Sequence, residues 1–278
     1  MRVGNVDIQV VSDGVMHLDG GTMFGVIPRT IWSTYYPADA QNKIPIAINN
    51  AFFVSEGRRI LVDAGLGSRL TPKQTELWGL VRDGDLIANL GRLGITPEDI
   101  DIVVLTHLHP DHAAGNTRLV DGKLVPVFPK AQFWVQKREW EAATKPNDWS
   151  KFQYEPPNFL PIAEAGQLHL IDGDTPVTSE VRCVLAEGHT PGHQCVVVES
   201  AGEWAAIMGD VAPMMPHVAH PQWLPAFDME PMVNLETKKR FYREAREKNG
   251  IFFLAHDPNV LACRLVEQDG RVKAKAVI

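Results

Sequence analysis

Three cysteines in 278 residues, Cys183, Cys195 and Cys263, are too few and too scattered for a disulfide framework. They form no CxxC pair, which suits a reducing compartment and leaves them as small buried hydrophobes. No apolar run reaches the 18 or so residues that a membrane-spanning helix needs. The opening Met1–Val10 alternates polar and apolar residues as a strand does, without the apolar middle of a signal peptide, so the expected location is the cytoplasm. A basic face is missing as well: the formal net charge is −7. The one dense basic run, Lys238, Lys239, Arg240, Arg243, Arg246 and Lys248, is interleaved with Glu236, Glu244 and Glu247 and reads as a solvated helix face. Nucleic acid and membrane are thereby excluded as expected partners. No internal repeat at 20–50 residue spacing is evident.

What the chain does have is short runs rich in Val, Ile and Phe. They predict strands near 6–11, 46–54, 58–63, 101–106, 132–135, 182–186, 195–199, 204–208 and 251–255. Helical spacing appears over Thr71–Leu93, weakened by Gly79 and Gly84, and more cleanly over Asn234–Lys248, with Gly250 just beyond. Strands recurring in both halves with helices between them predict α/β or α+β layers and exclude a helical bundle. Long Pro-rich loops, 20–45, 145–161 and 213–231, carry many large side chains; loops of that length are usually lids or binding loops.

The most informative stretch is Ile102-Val-Val-Leu-Thr-His-Leu-His-Pro-Asp-His112. An apolar strand ends and four potential ligands follow at once: His107, His109, Asp111 and His112. Imidazole and carboxylate together suit a borderline divalent cation such as zinc, and admit iron or manganese. Downstream, Gly188-His-Thr-Pro-Gly-His193, Met208-Gly-Asp210 and Leu254-Ala-His256 each place a His or Asp just past an apolar run. Strand ends are where open α/β sheets put their sites.

Together these strings resemble the ligand set of the metallo-β-lactamase superfamily. The resemblance implies one domain over 1–278, built as a four-layer αβ/βα sandwich of two mixed sheets flanked by helices. It implies two divalent cations, zinc first, with iron, manganese or cobalt as alternatives. His107, His109 and His193 would hold the first, Asp111, His112 and His256 the second, and Asp210 would bridge them. His189 is set aside in this assignment. Asp63, after an early strand, would orient a ligand histidine. Two such cations can share a hydroxide at neutral pH, and Asp111 would then also pass a proton to the leaving group.

For substrate, Asp19–Trp32, Val125–Pro129 and His220–Trp223 resemble YtnP-type N-acyl homoserine lactonases, with methyl parathion hydrolases sharing much of the layout. The resemblance implies a lactone or ester substrate, with phosphotriester or carboxylester cleavage as the alternative and a metal-binding regulatory module as the distant non-enzyme one. It implies that the 20–45 loop covers the site, with Met23, Phe24 and Trp32 as an apolar wall, and Trp223 is a further substrate-binding candidate. Other homoserine lactonases carry a tyrosine a few residues after the bridging aspartate. Here Val211–Pro216 contains none, so that work falls to His217 or to a metal alone, or the preferred substrate differs. A homodimer is the expectation for assembly.

Overall fold

A computed structural model describes residues 1–268 and 270–278. Six strands form one sheet in the order Leu168–Ile171, Gln132–Gln136, Ile102–Val104, Arg58–Val62, Lys43–Ser55, Gln9–Asp19. The first four run parallel, and the two N-terminal strands join them antiparallel. Seven strands form the second sheet, from Thr175–Pro176 through Val181–Leu185, Gln194–Ser200, Glu203–Ile207, Ile251–Phe253 and Ala262–Gln268 to Arg271–Ala276. Among the described residues its one parallel pair joins Glu203–Ile207 to Ile251–Phe253.

Alternation along the strands decides the layering, because successive side chains point to opposite faces. Ile60, Val62, Ile102 and Val104 from the first sheet pack with Val181, Cys183, Val196, Val198, Ala205 and Ile207 from the second. The residues between them turn outward. Leu61 and Val103 pack with Leu86 and Leu90 of the helix Leu86–Arg92 and with Ile162 of Leu160–Glu164. Cys195, Val197, Trp204 and Ala206 pack against Phe241, Tyr242 and Ala245 of Pro231–Lys248. The result is helix, sheet, sheet, helix. All three cysteines are buried in these layers, as their apolar surroundings predict.

The expected Thr71–Leu93 helix is two pieces, Pro72–Leu77 and Leu86–Arg92, parted where Gly79 and Gly84 take positive φ. Each half has its own N-cap, Thr71 and Asp85, so the chain restarts rather than bends. The C-terminal hairpin Ala262–Gln268 and Arg271–Ala276 and the strand Leu168–Ile171 go beyond the predicted strands. In the hairpin, exposed charged residues such as Lys273 and Lys275 hide the apolar period that marks a strand, while Leu168–Ile171 is only four residues long. Among the described residues no helix is long and apolar enough to cross a membrane.

Candidate metal centre

Five turns meet at one end of the sandwich. They follow Arg58–Val62, Ile102–Val104, Val181–Leu185, Glu203–Ile207 and Ile251–Phe253 and deliver Asp63, the 107–112 segment, His189, Asp210 and His256. After Ile102–Val104 the chain turns at Thr106–His109 and starts a short helix at Pro110, which fixes φ at the first helical position and holds His109 extended before it.

Within this cluster the ligand atoms fall into three overlapping groups whose members lie within 4.8 Å of one another: His107, His109 and His189; His107, His112 and Asp210; Asp111, His112 and His256. Asp210 sits between the halves. Its Oδ1 is 2.9 Å from His256 Nε2 and 3.5 Å from His112 Nε2, while its Oδ2 is 3.2 Å from His189 Nε2 and 3.9 Å from His107 Nε2. Burial would raise the Asp210 pKa, but the imidazoles of His256, His112 and His189 outweigh it and hold the carboxyl well below its usual value.

Hydrogen bonding on the far side of each ring fixes which nitrogen faces inward. His256 Nδ1 donates to the Ala47 carbonyl at 2.7 Å, His112 Nδ1 to Asp63 Oδ2 at 2.9 Å and His189 Nδ1 to Asp228 Oδ1 at 2.9 Å. A neutral imidazole has one N–H, so each of these rings presents a lone pair at Nε2. Yet His112 Nε2 and His256 Nε2 are 3.1 Å apart, as are His189 Nε2 and His109 Nδ1. Facing lone pairs beside a carboxylate need a cation or extra protons between them. Burial lowers the pKa of His112 and His256, and the neighbouring carboxylates more than reverse that. His107 and His109, by contrast, are held well below their usual pKa by burial and then by neighbouring imidazoles, as neutral ligands require. The donor set fits divalent cations.

One sequence assignment is corrected here. His193 does not join the cluster: its Nε2 accepts the backbone N–H of Asp210 at 3.0 Å, which occupies the lone pair a metal would use. His189 takes its place. Gly209 lets His193 reach in, since at φ 50° a Cβ there would come within 2.6 Å of His193 Nε2. Asp63, just after Arg58–Val62, accepts Thr106 N–H at 2.8 Å as well as His112 Nδ1–H. It does so at φ 63°, a left-handed conformation costly for a non-glycine residue and held here by these bonds.

Glu139 supports the site without any signal in the sequence. Buried behind the 107–112 turn, it accepts Leu108 N–H at 2.9 Å, between His107 and His109, and the hydroxyls of Thr190 and Tyr154. Burial raises its pKa and these donors oppose the rise. Nothing in the helix sequence Lys137–Thr144 marks this glutamate, because exposed glutamates look the same.

A cleft of about 240 Å³ opens over the cluster, with His109, Asp111, His189, Asp210 and His256 at its base and Met16, Leu18, Met23, Ile46, Trp78, Phe152 and Phe227 on its walls. Met23 is therefore in the wall as expected. Phe24, Trp32, His217 and Trp223 are not, which corrects the first two as wall residues and the last two as substrate contacts. Phe24 stacks on His217 at 5.2 Å and on Trp32 at 5.4 Å, with Trp223 edge-on at 5.8 Å. His217 is fully buried and donates from Nε2 to the Met23 carbonyl at 2.7 Å; burial lowers its pKa to about 3, so it is a neutral core residue. These aromatics form a mini-core under the loop. Trp32→Ala should lower unfolding free energy by about 3–5 kcal/mol, read by denaturant titration, while the KM of the folded enzyme stays put. A changed KM at unchanged stability would return Trp32 to the wall.

The profile of the metallo-beta-lactamase superfamily matches residues 45–256. An N-acyl homoserine lactonase of a Bacillus species is 28% identical over 191 residues, 68% of this chain and 66% of that protein, so the match spans just under two thirds of the relative. Among solved structures, a probable metal-dependent hydrolase from Staphylococcus aureus superposes with a TM-score of 0.90 at 30% identity over 100% of both chains. The hydrolase AbOPH of the beta lactamase superfamily superposes at 0.80 with 22% identity, over 100% of this chain and 96% of that one.

Proposed function

The chain belongs to the metallo-beta-lactamase superfamily, and from that premise we propose that it is a dinuclear metal hydrolase that opens N-acyl homoserine lactones. The carrying observation is the set of inward lone pairs around Asp210. His107, His109 and His189 would hold one cation, Asp111, His112 and His256 the other, with Asp210 between them. Five imidazoles and two carboxylates suit zinc, while iron, manganese or cobalt are also accommodated by such ligands. When bound, the pair supplies a polarised substrate carbonyl and a water acidic enough to attack it at neutral pH.

The chain's own groups do the rest. Asp63, Asp228 and the Ala47 carbonyl hold three ligand rings in one tautomer, so no reorganisation is needed during reaction. Asp111 lines the cleft and is partly exposed, placed to take a proton from the nucleophile and return it to the departing alkoxide. The apolar walls exclude water and receive an acyl chain. Lactone is favoured over phosphotriester by the curated relative, which is a homoserine lactonase.

The test is a substrate panel on metal-loaded protein: homoserine lactones of graded acyl length, aryl esters and aryl phosphotriesters. Lactones are expected to give the highest kcat/KM, by about tenfold or more, the margin a matched pocket typically yields. Fast triester turnover with inert lactones would replace this reading with the phosphotriesterase one.

A further inference from the structure

Gln153 is the unusual residue of the cleft. It lies on its lining beside His109, Asp111 and Phe152, is 6% exposed, and both ends of its carboxamide, Oε1 and Nε2, are buried without a hydrogen-bond partner. Its backbone is committed, donating to the Ser150 carbonyl at 2.9 Å, so the side chain alone is idle. Tyr154, next along the chain, is spent on Glu139 behind the site. Buried amides in native folds are paired almost without exception, because an unpaired one forfeits its hydrogen bonds to water. A carboxamide buried without a partner on the lining of a catalytic cleft is a group waiting for a ligand. Apart from the metal-site side chains and the indole of Trp78, the lining is apolar, so nothing else there reads polarity in a substrate.

A carboxamide offers one acceptor and two donor hydrogens side by side in one plane. Its complement is a donor beside an acceptor, which is what an acylamino group next to a carbonyl presents when its N–H and C=O point the same way. A plain ester, an alkyl lactone or a phosphotriester has no N–H to give and would leave Oε1 unpaired. We propose that Gln153 is a specificity-determining residue that selects substrates with an acylamino group beside the scissile carbonyl, Oε1 accepting the amide N–H and Nε2 donating to the neighbouring oxygen. This rests on the acyl-lactone reading above and sharpens it: the amide, and not only the ring, is recognised.

The experiment compares N-hexanoyl homoserine lactone with a γ-butyrolactone carrying a plain alkyl chain of equal length at the same carbon, in wild type, Gln153→Leu and Gln153→Met. Wild type is expected to favour the amide lactone in kcat/KM, and each variant to lose about 10- to 100-fold on it while holding its rate on the alkyl lactone. The retained rate shows that the variant is folded, and Gln153→Met supplies a second case if leucine is not tolerated. A substrate ratio unchanged by both substitutions, or equal losses on both lactones, overturns the proposal. Should wild type open neither lactone yet cleave aryl esters, the lactonase reading fails by itself. Gln153 is then judged by competition, with ring-opened N-hexanoyl homoserine against its amide-free analogue as inhibitors of ester cleavage. A preference for the amide that Gln153→Leu abolishes supports the proposal; equal inhibition of wild type overturns it.

Discussion

Replacing His189 with alanine is expected to remove about one metal equivalent per chain and to lower kcat/KM by more than about 100-fold, beyond the 10- to 100-fold typical of losing a supporting partner. The reason is positional. His189 Nε2 stands 3.1 Å from His109 Nδ1 and 3.2 Å from Asp210 Oδ2, and Asp228 fixes its ring from the other side. His193→Ala should behave differently although the two histidines sit four residues apart in one motif. It deprives the buried Asp210 N–H of its acceptor, which should cost about 1–3 kcal/mol of stability and loosen the carboxylate, but it removes no inward lone pair. Elemental analysis of the two variants under the same loading conditions separates the roles. Full metal content in His189→Ala, or a missing equivalent in His193→Ala, would reverse the assignment.

That reversal also marks where the sequence stopped being legible. The ligand-rich 107–112 segment, Asp210 and His256 could be seen because each follows an apolar strand run, and backbone geometry puts strand ends together. The same rule, applied strictly, favours His189: it comes just after the strand Val181–Leu185, whereas His193 abuts the start of Gln194–Ser200. Resemblance to the motif as a string hid that difference, since both histidines occur in it. Phe24, Trp32, His217 and Trp223 were misplaced for another reason. Aromatic residues in a long loop serve equally as a wall or as the loop's own core, and only the fold says which side faces the cleft. Glu139, Asp228 and Gln153 left no local trace, because their roles come from contacts made across 31, 39 and more residues of chain. Layering, in contrast, was written in the strands: alternation through Val181–Leu185 and Gln194–Ser200 assigns each side chain to one of two cores before any contact is known.

Asp111→Asn should depress turnover of alkyl-leaving lactones by about 10²- to 10⁴-fold, the usual worth of a positioned acid–base group, and how that loss varies with the leaving group identifies its cause. Asparagine keeps the shape but not the charge or the transferable proton. Asp111 Oδ2 lies 3.5 Å from His256 Nε2 and 3.7 Å from His112 Nε2, so some loss is due to weaker ligation on that side. Ligation affects every substrate alike, because each needs the same nucleophile. Proton delivery does not: a ring-opening alkoxide must be protonated as it departs, while an aryl oxide with a near-neutral pKa leaves unaided. The substitution should therefore cost far more on a homoserine lactone than on an aryl ester, measured as kcat under conditions where metal content is equal. Equal losses on both would leave Asp111 as a ligand alone.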